Sequence, residues 1–405
     1  MPPRALPFAL GLLTAGCASG PRLPVTPVVS ARPATCVITT DSVGHTRPVT
    51  AAFDNPSEAR RARLAASRLA PVRRDCDGHL LPGLASHWSR DTSAKFWTLE
   101  LGPAAAAASS GAPRWTAAAL AATWRADPDA ELALRASGVE SVVPLDDGRL
   151  VVGFAAPHDE LPPVFAARAL GVATRDGPML VEAEPGSGDL RDAVDRGPDL
   201  IQTGDPDLLD YAGRRPDVSS TALPWSRTYL LVLPAGGAGL GAAIPADTTA
   251  FRSALARDAV RMDARPAGAP GWADSAARCR RAPALPEAPP ASVIAYSADD
   301  RTGRELAERL VALAGPAGLA VRPLEQDSLM AALRRGDSQA FVVDGPRETA
   351  GPCAESADWP AGATVVPLVE TRRHAIVRRG APPLAVEWDG AVRLTEAGDT
   401  ARAAP

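Results

Sequence analysis

Hydrophobic and polar positions change period several times along the chain, and each change predicts an element. Over residues 95–101 they alternate, with Trp97, Leu99 and Leu101 on one side. A strand with one buried face has that pattern. Residues 36–40 form a short β-branched run, a further strand. Residues 72–82 read as two strands about Asp77-Gly78, and residues 138–154 as two about Asp147-Gly148. Both turn pairs tolerate positive φ and so favour hairpins. Helical spacing appears over residues 60–69, with Leu64, Ala65 and Leu69 on one face, and over residues 251–260. Another helix opens after Thr116, a natural N-cap, and runs to about Arg125. From residue 293 the pattern is strand (293–296), helix (302–314), strand (318–321), helix (327–335) and strand (341–344). That alternation belongs to a parallel sheet with covering helices. Residues 365–368 give a further strand, and residues 386–394 a closing hairpin.

At 405 residues, 46% hydrophobic and 22% charged, the chain is long and apolar enough for two or three folding units. Wholesale disorder is excluded by that apolar fraction. No run beyond the N-terminus reaches the ~20 apolar residues of a spanning helix. Net charge is −4, and arginines are interspersed with acids without a basic block. Nucleic acid is therefore not an expected partner. Lys95 is the sole lysine, and Trp outnumbers Phe and Tyr.

The first residues read as an address. Arg4 precedes an apolar run over residues 5–13, followed by Leu13-Thr14-Ala15-Gly16-Cys17. Small residues directly before a cysteine resemble a bacterial lipoprotein signal, in which Cys17 would take the lipid and become the mature N-terminus. An ordinary cleaved signal with an incidental cysteine is the other reading. Residues 18–33 read as a tether. Export permits disulfides, and Cys36, Cys76, Cys279 and Cys353 allow three pairings. Cys36 with Cys76 and Cys279 with Cys353 is preferred, since each pair falls in one stretch of chain. Four buried thiols are the alternative.

The segment Asp75-Cys76-Asp77-Gly78-His79-Leu80-Leu81-Pro82-Gly83-Leu84-Ala85-Ser86-His87-Trp88, the strand Phe96-Trp97-Thr98-Leu99-Glu100-Leu101, and Gly111-Ala112-Pro113-Arg114-Trp115-Thr116-Ala117 follow one another in a distinctive order. Gly197-Pro198-Asp199-Leu200-Ile201, the strand 225–233, the helix 251–260 and Val365-Val366-Pro367-Leu368 continue it. This order resembles the family 5 extracellular solute-binding proteins, the oligopeptide, dipeptide and nickel receptors of ABC importers. The resemblance spans most of residues 36–395. It departs at Ala118-Ala119-Leu120, where the family carries an acidic pair, and the chain is shorter than is usual there.

That resemblance implies an α/β fold of the bilobal periplasmic-binding-protein type (type II, cluster C-like), with two α/β lobes joined by crossing hinge strands. The expected divisions are a signal over 1–17, the tether 18–33, and a first lobe from 34–240 and 365–405 with an inserted subdomain at about 57–170. The second, shortened lobe takes 241–364. The implied function is delivery of a solute, a short peptide above all, to an ABC permease. The receptor would be a lipid-anchored monomer of the cell envelope. A homologue that no longer carries solute and serves in envelope interaction or sensing is the alternative, and a hydrolase on a similar frame a third.

Trp225, Arg227 and Tyr229 fall near the implied crossing, where Arg227 could hold a carboxylate bidentately and the aromatics could stack. Trp225 and Tyr229 fit equally as core residues of an alternating strand. Asp344 ends a strand, where α/β lobes often present ligand groups. In peptide-binding members of the family an aspartate in this region holds the ligand's amino group. Glu348 is an equal candidate, and Asp344 also suits the turn before Gly345-Pro346. Trp88, Trp97 and Trp115 are assigned to packing. No enzyme, metal or cofactor is expected. The five histidines lack ligand spacing, and the G-x-G-x-x-A string over residues 237–242 runs into Pro245 rather than a helix.

Overall fold

The computed structural model describes residues 36–38, 49–54, 59, 62, 68–107, 115–173, 180–182, 190–234, 248–268, 291–314, 319–348 and 363–394. The expectations for Cys17, the tether, Cys279, Cys353 and residues 237–242 lie outside them.

Three main sheets carry the fold. The first has five strands in the order Leu180–Glu182, Val49–Phe53, Leu200–Thr203, His374–Arg378, Val218–Ala222. Alternation splits its side chains between two cores. Ala51, Phe53, Leu200, Ala375 and Val377 face one, and Ala52, Ile201 and Ile376 face the other. The second has six strands in the order Ala264–Pro266, Thr364–Thr371, Arg227–Leu233, Ser338–Pro346, Ala291–Ser297, Ala320–Leu324. It is also covered on both faces. Tyr229, Leu231 and Leu233 pack with Leu255 of the helix Thr249–Asp258 and with Leu306 and Leu310 of the helix Arg301–Ala314. Leu230 and Val232 pack with Leu329 and Leu333 of the helix Gln326–Arg335. Strands buried on both sides explain why residues 229–233 and 340–343 are continuously apolar.

The third sheet is antiparallel, in the order Ala85–Arg90, Phe96–Leu101, Arg149–Phe154, Val139–Pro144. It holds a separate core of Val72 to Val172 in which Trp124 and Phe165 are fully buried. The Trp124 indole donates to the Leu170 carbonyl at 2.9 Å. Trp97 is buried there, and Trp88 and Trp115 pack against it. Thr116 caps the helix Ala117–Ala126 by accepting from the Ala119 N–H. Gly78 takes φ of 90° in the hairpin turn between Val72–Arg74 and Leu80–Pro82. Cys36 and Cys76 are joined by a disulfide with Cα atoms 5.2 Å apart.

Two local expectations differ. Arg68 and Leu69 are not the end of a helix but a short strand paired with Val172–Ala173, a long-range partner that local spacing cannot show. Strand pairing also moves the change of sheet. The strands Arg227–Leu233 and Thr364–Thr371 both belong to the six-stranded sheet. The chain therefore passes between the two α/β sheets at residues 223–226 and returns at 372–373, instead of at 240 and 365. The expected divisions came from the resemblance, whereas sheet membership follows hydrogen bonding between strands distant in sequence.

Candidate functional site

The two crossings bring together most of the residues singled out above. Arg227 opens its strand and Asp344 lies on the neighbouring antiparallel strand, where Tyr229 is its direct partner. Alternation sends Arg227, Tyr229 and Asp344 to one face. The Arg227 Nε donates to Asp344 Oδ2 at 3.1 Å, and its terminal nitrogen contacts the same oxygen. Both side chains are largely buried, at 14% and 20% exposure. Tyr229 donates its hydroxyl to Asp300 Oδ1 at 3.0 Å.

Asp300 is the residue that sequence reasoning missed. It follows the strand Ala291–Ser297 and precedes the helix Arg301–Ala314, and its carboxylate accepts from the Gly303 N–H. An aspartate three residues before an orphan amide has the geometry of an N-cap. The signal was present as Asp299-Asp300 between a strand and a helical period. Burial pushes the Asp300 carboxyl up to about 6, and the nearby Asp344 charge adds to that effect. The Tyr229 hydroxyl is also pushed well up, by burial first and then by Asp300 and Asp344.

Trp225 stands apart from this group. Its ring lies between two guanidinium groups, Arg265 at 4.5 Å and Arg372 at 4.8 Å. Arg265 belongs to the edge of the six-stranded sheet and Arg372 to the return crossing. Trp225 thus joins one crossing to the other. Arg265 also pairs with the buried Glu370, which Arg347 reaches at 3.3 Å. Glu348, the other candidate, pairs with Arg74 at 3.3 Å. Asp263 accepts from Arg372 at 2.8 Å and lies 3.2 Å from His374 Nε2. The hydrogen bond to His374, and then that to Arg372, holds its carboxyl down at about 2.

A cleft of about 140 Å³ opens beside this cluster. Asp54, Gly204 and Asp205 line it from the ends of five-stranded-sheet strands, and Arg261, Asp300 and Arg301 from the six-stranded side. Arg373 of the return crossing forms an ion pair with Asp54. Asp54 in turn accepts from the Thr203 hydroxyl at 2.9 Å and the Gly204 N–H at 2.8 Å. The walls approach closely: a Cβ on Gly204 would come within 2.6 Å of the Met262 methyl. The cleft is small beside the roughly 300–1,000 Å³ of pockets for drug-sized ligands.

Among solved structures, the pheromone receptor PrgZ, known with its mode of peptide binding, matches with a TM-score of 0.60 at 10% identity. The match covers 86% of this chain and 100% of that one. The substrate-binding domain of an oligopeptide ABC transporter from Bacillus anthracis matches at 0.59 and 11% identity, over 90% and 97% of the two chains. The Escherichia coli murein tripeptide binding protein MppA matches at 0.58 and 10%, over 86% and 98%. The chain has the bilobal α/β fold of these binding proteins. No protein-family model and no curated protein matches it by sequence. Among the described residues no helix is long and apolar enough to cross a membrane.

Proposed function

We propose that the protein is a solute-binding lipoprotein of the cell envelope, taking a short peptide or another small solute into this cleft for an ABC-type importer. The observation that carries the reading is the position of the cleft. Its walls come from both α/β sheets, beside the two crossings about which such walls can hinge. The fold shared with peptide-binding structures supports it. Binding of this kind needs no covalent step, so no catalytic role is assigned. Cys17 would carry the lipid and the protein would act as a monomer beside a permease, where tethering raises its effective concentration.

A thermal-shift screen with di- to pentapeptides tests the solute. A true ligand at a hundredfold excess over Kd adds about 2.7 kcal/mol, a clear rise in Tm. A flat response across peptides and amino acids would remove the transport reading. The lipid is tested separately by metabolic labelling with palmitate. Label is expected on the wild type and absent from Cys17→Ser, and equal labelling of the two would place the acyl chain elsewhere.

One observation favours a second reading, a homologue retained for envelope interaction without transport. Arg227 and Asp344, the groups best suited to hold a zwitterion, hold each other, and Tyr229 is bonded to Asp300. A solute using them must first exchange those contacts for its own.

A further inference from the structure

Besides the Asp263–His374 contact and the more buried Arg168–Asp389 pair, three ion pairs among the described residues join parts of the chain that belong to different sheets. Arg301, in the first turn of the helix packed on the six-stranded sheet, lies 3.7 Å from Asp205, the N-cap of the helix Pro206–Gly213 on the five-stranded side. Arg261, beyond the helix Thr249–Asp258, lies 3.5 Å from Asp207 of that same helix. Arg74, in the hairpin strand Val72–Arg74, lies 3.3 Å from Glu348 beyond the strand Ser338–Pro346. The first two pairs stand at the cleft, where Asp205, Arg261 and Arg301 are lining residues.

The pairs differ from the ion pairs deeper in the site in how far they face solvent. Arg261 and Asp207 are 54% and 63% exposed, Arg301 is more than half exposed against a half-buried Asp205, and Glu348 is more than half exposed against a largely buried Arg74. Exposed pairs are screened by salt over a Debye length of about 8 Å at physiological ionic strength and about 3 Å at 1 M. The Arg227–Asp344 pair is buried and escapes most of that screening. At the cleft Gly204 stands against the Met262 side chain and offers no side chain of its own. Among the described residues, the charged contacts across the cleft are these pairs.

We propose that the cleft is held closed by the Arg301–Asp205, Arg261–Asp207 and Arg74–Glu348 pairs, so that ionic strength sets how often it opens. The pairs regulate the same cleft and in that sense rest on the proposed function. The device needs no bound molecule, so a failed solute screen leaves it standing. A salt-sensitive cleft would admit solute more readily at high ionic strength.

Hydrogen exchange followed by mass spectrometry tests it on the full chain at 20 and 500 mM NaCl. In the wild type, amides of residues 205–209 and 301–305 are expected to exchange about three- to tenfold faster at high salt, the range for losing two or three exposed pairs. Amides of residues 229–232, deep in the six-stranded sheet, should not change. Arg261→Gln/Arg301→Gln/Glu348→Gln removes one partner of each pair and leaves residues 205–209 untouched. It should show the fast rates already at 20 mM and no further salt response. Gly204→Val, which would push against Met262, should raise exchange over residues 301–305 at both salt concentrations. A wild type indifferent to salt, a triple variant that keeps the wild-type response, or a Gly204→Val protein with wild-type rates would each overturn the proposal.

Discussion

Replacing Arg227 with alanine is expected to destabilise the protein by about 2–4 kcal/mol at pH 7. Breaking a buried pair leaves an uncompensated charge, and such losses typically fall near 3–5 kcal/mol. The residual exposure of Arg227 and Asp344 places this case toward the lower end. Asp344 has Asp300 close by, so losing the guanidinium leaves its charge beside a second acidic group. The double variant Arg227→Met/Asp344→Leu should recover most of the loss, since a matched apolar pair carries no desolvated charge. Urea denaturation of the wild type, Arg227→Met, Asp344→Leu and the double variant in a double-mutant cycle measures this. A single variant within 0.5 kcal/mol of wild type would show that the pair contributes nothing. The same variants bear on the solute: a ligand held by Arg227 loses affinity in Arg227→Ala, whereas a purely structural pair lowers stability and leaves Kd alone.

The second large effect is a dependence on pH. The Asp300 carboxyl titrates near 6 in the folded protein and near 3.8 when unfolded. Between those values the folded state keeps a proton that the unfolded state has lost. Stability contributed by the protonated group is therefore full below about pH 4 and declines as pH rises toward 6. The difference amounts to roughly 2–3 kcal/mol at 1.36 kcal/mol per pH unit. Asp263 runs the other way. Its carboxyl is held down at about 2, so its contribution is present above about pH 4 and lost as pH falls toward 2. Together these two groups contribute most near pH 4. Asp300→Asn keeps a capping side chain, since asparagine caps as well as aspartate. That variant should be at least as stable as wild type at pH 7 and should lose the decline between pH 4 and 6. Thermal unfolding across pH 3.5–7.5 for both proteins reads this directly. An unchanged profile in Asp300→Asn would assign the decline to other groups.

Most elements were legible because their signals are local. The Asp77-Gly78 and Asp147-Gly148 turns, Thr116 as a cap, and the alternation over residues 96–101 depend on neighbours within a few residues. The strand–helix–strand series after residue 291 was legible for the same reason, and the order of these elements carried the resemblance to solute-binding proteins. The site was legible only in part. Arg227, Tyr229 and Asp344 stand on adjacent strands, and no local signal in the chain showed that they would partner one another and Asp300.

What the sequence by itself determined is the α/β character, the element order and which residues could carry charge into the crossing. The tertiary structure alone decided where the chain changes sheet, why Trp225 sits between Arg265 and Arg372, and which charges face each other across the cleft. The reason is physical. Turns, caps and periodicity are fixed by sterics and hydrogen bonds among near neighbours. Strand pairing and ion pairing join groups a hundred residues or more apart, as Arg227 with Asp344 and Asp54 with Arg373 show. Their energies exist only once the chain has brought them together.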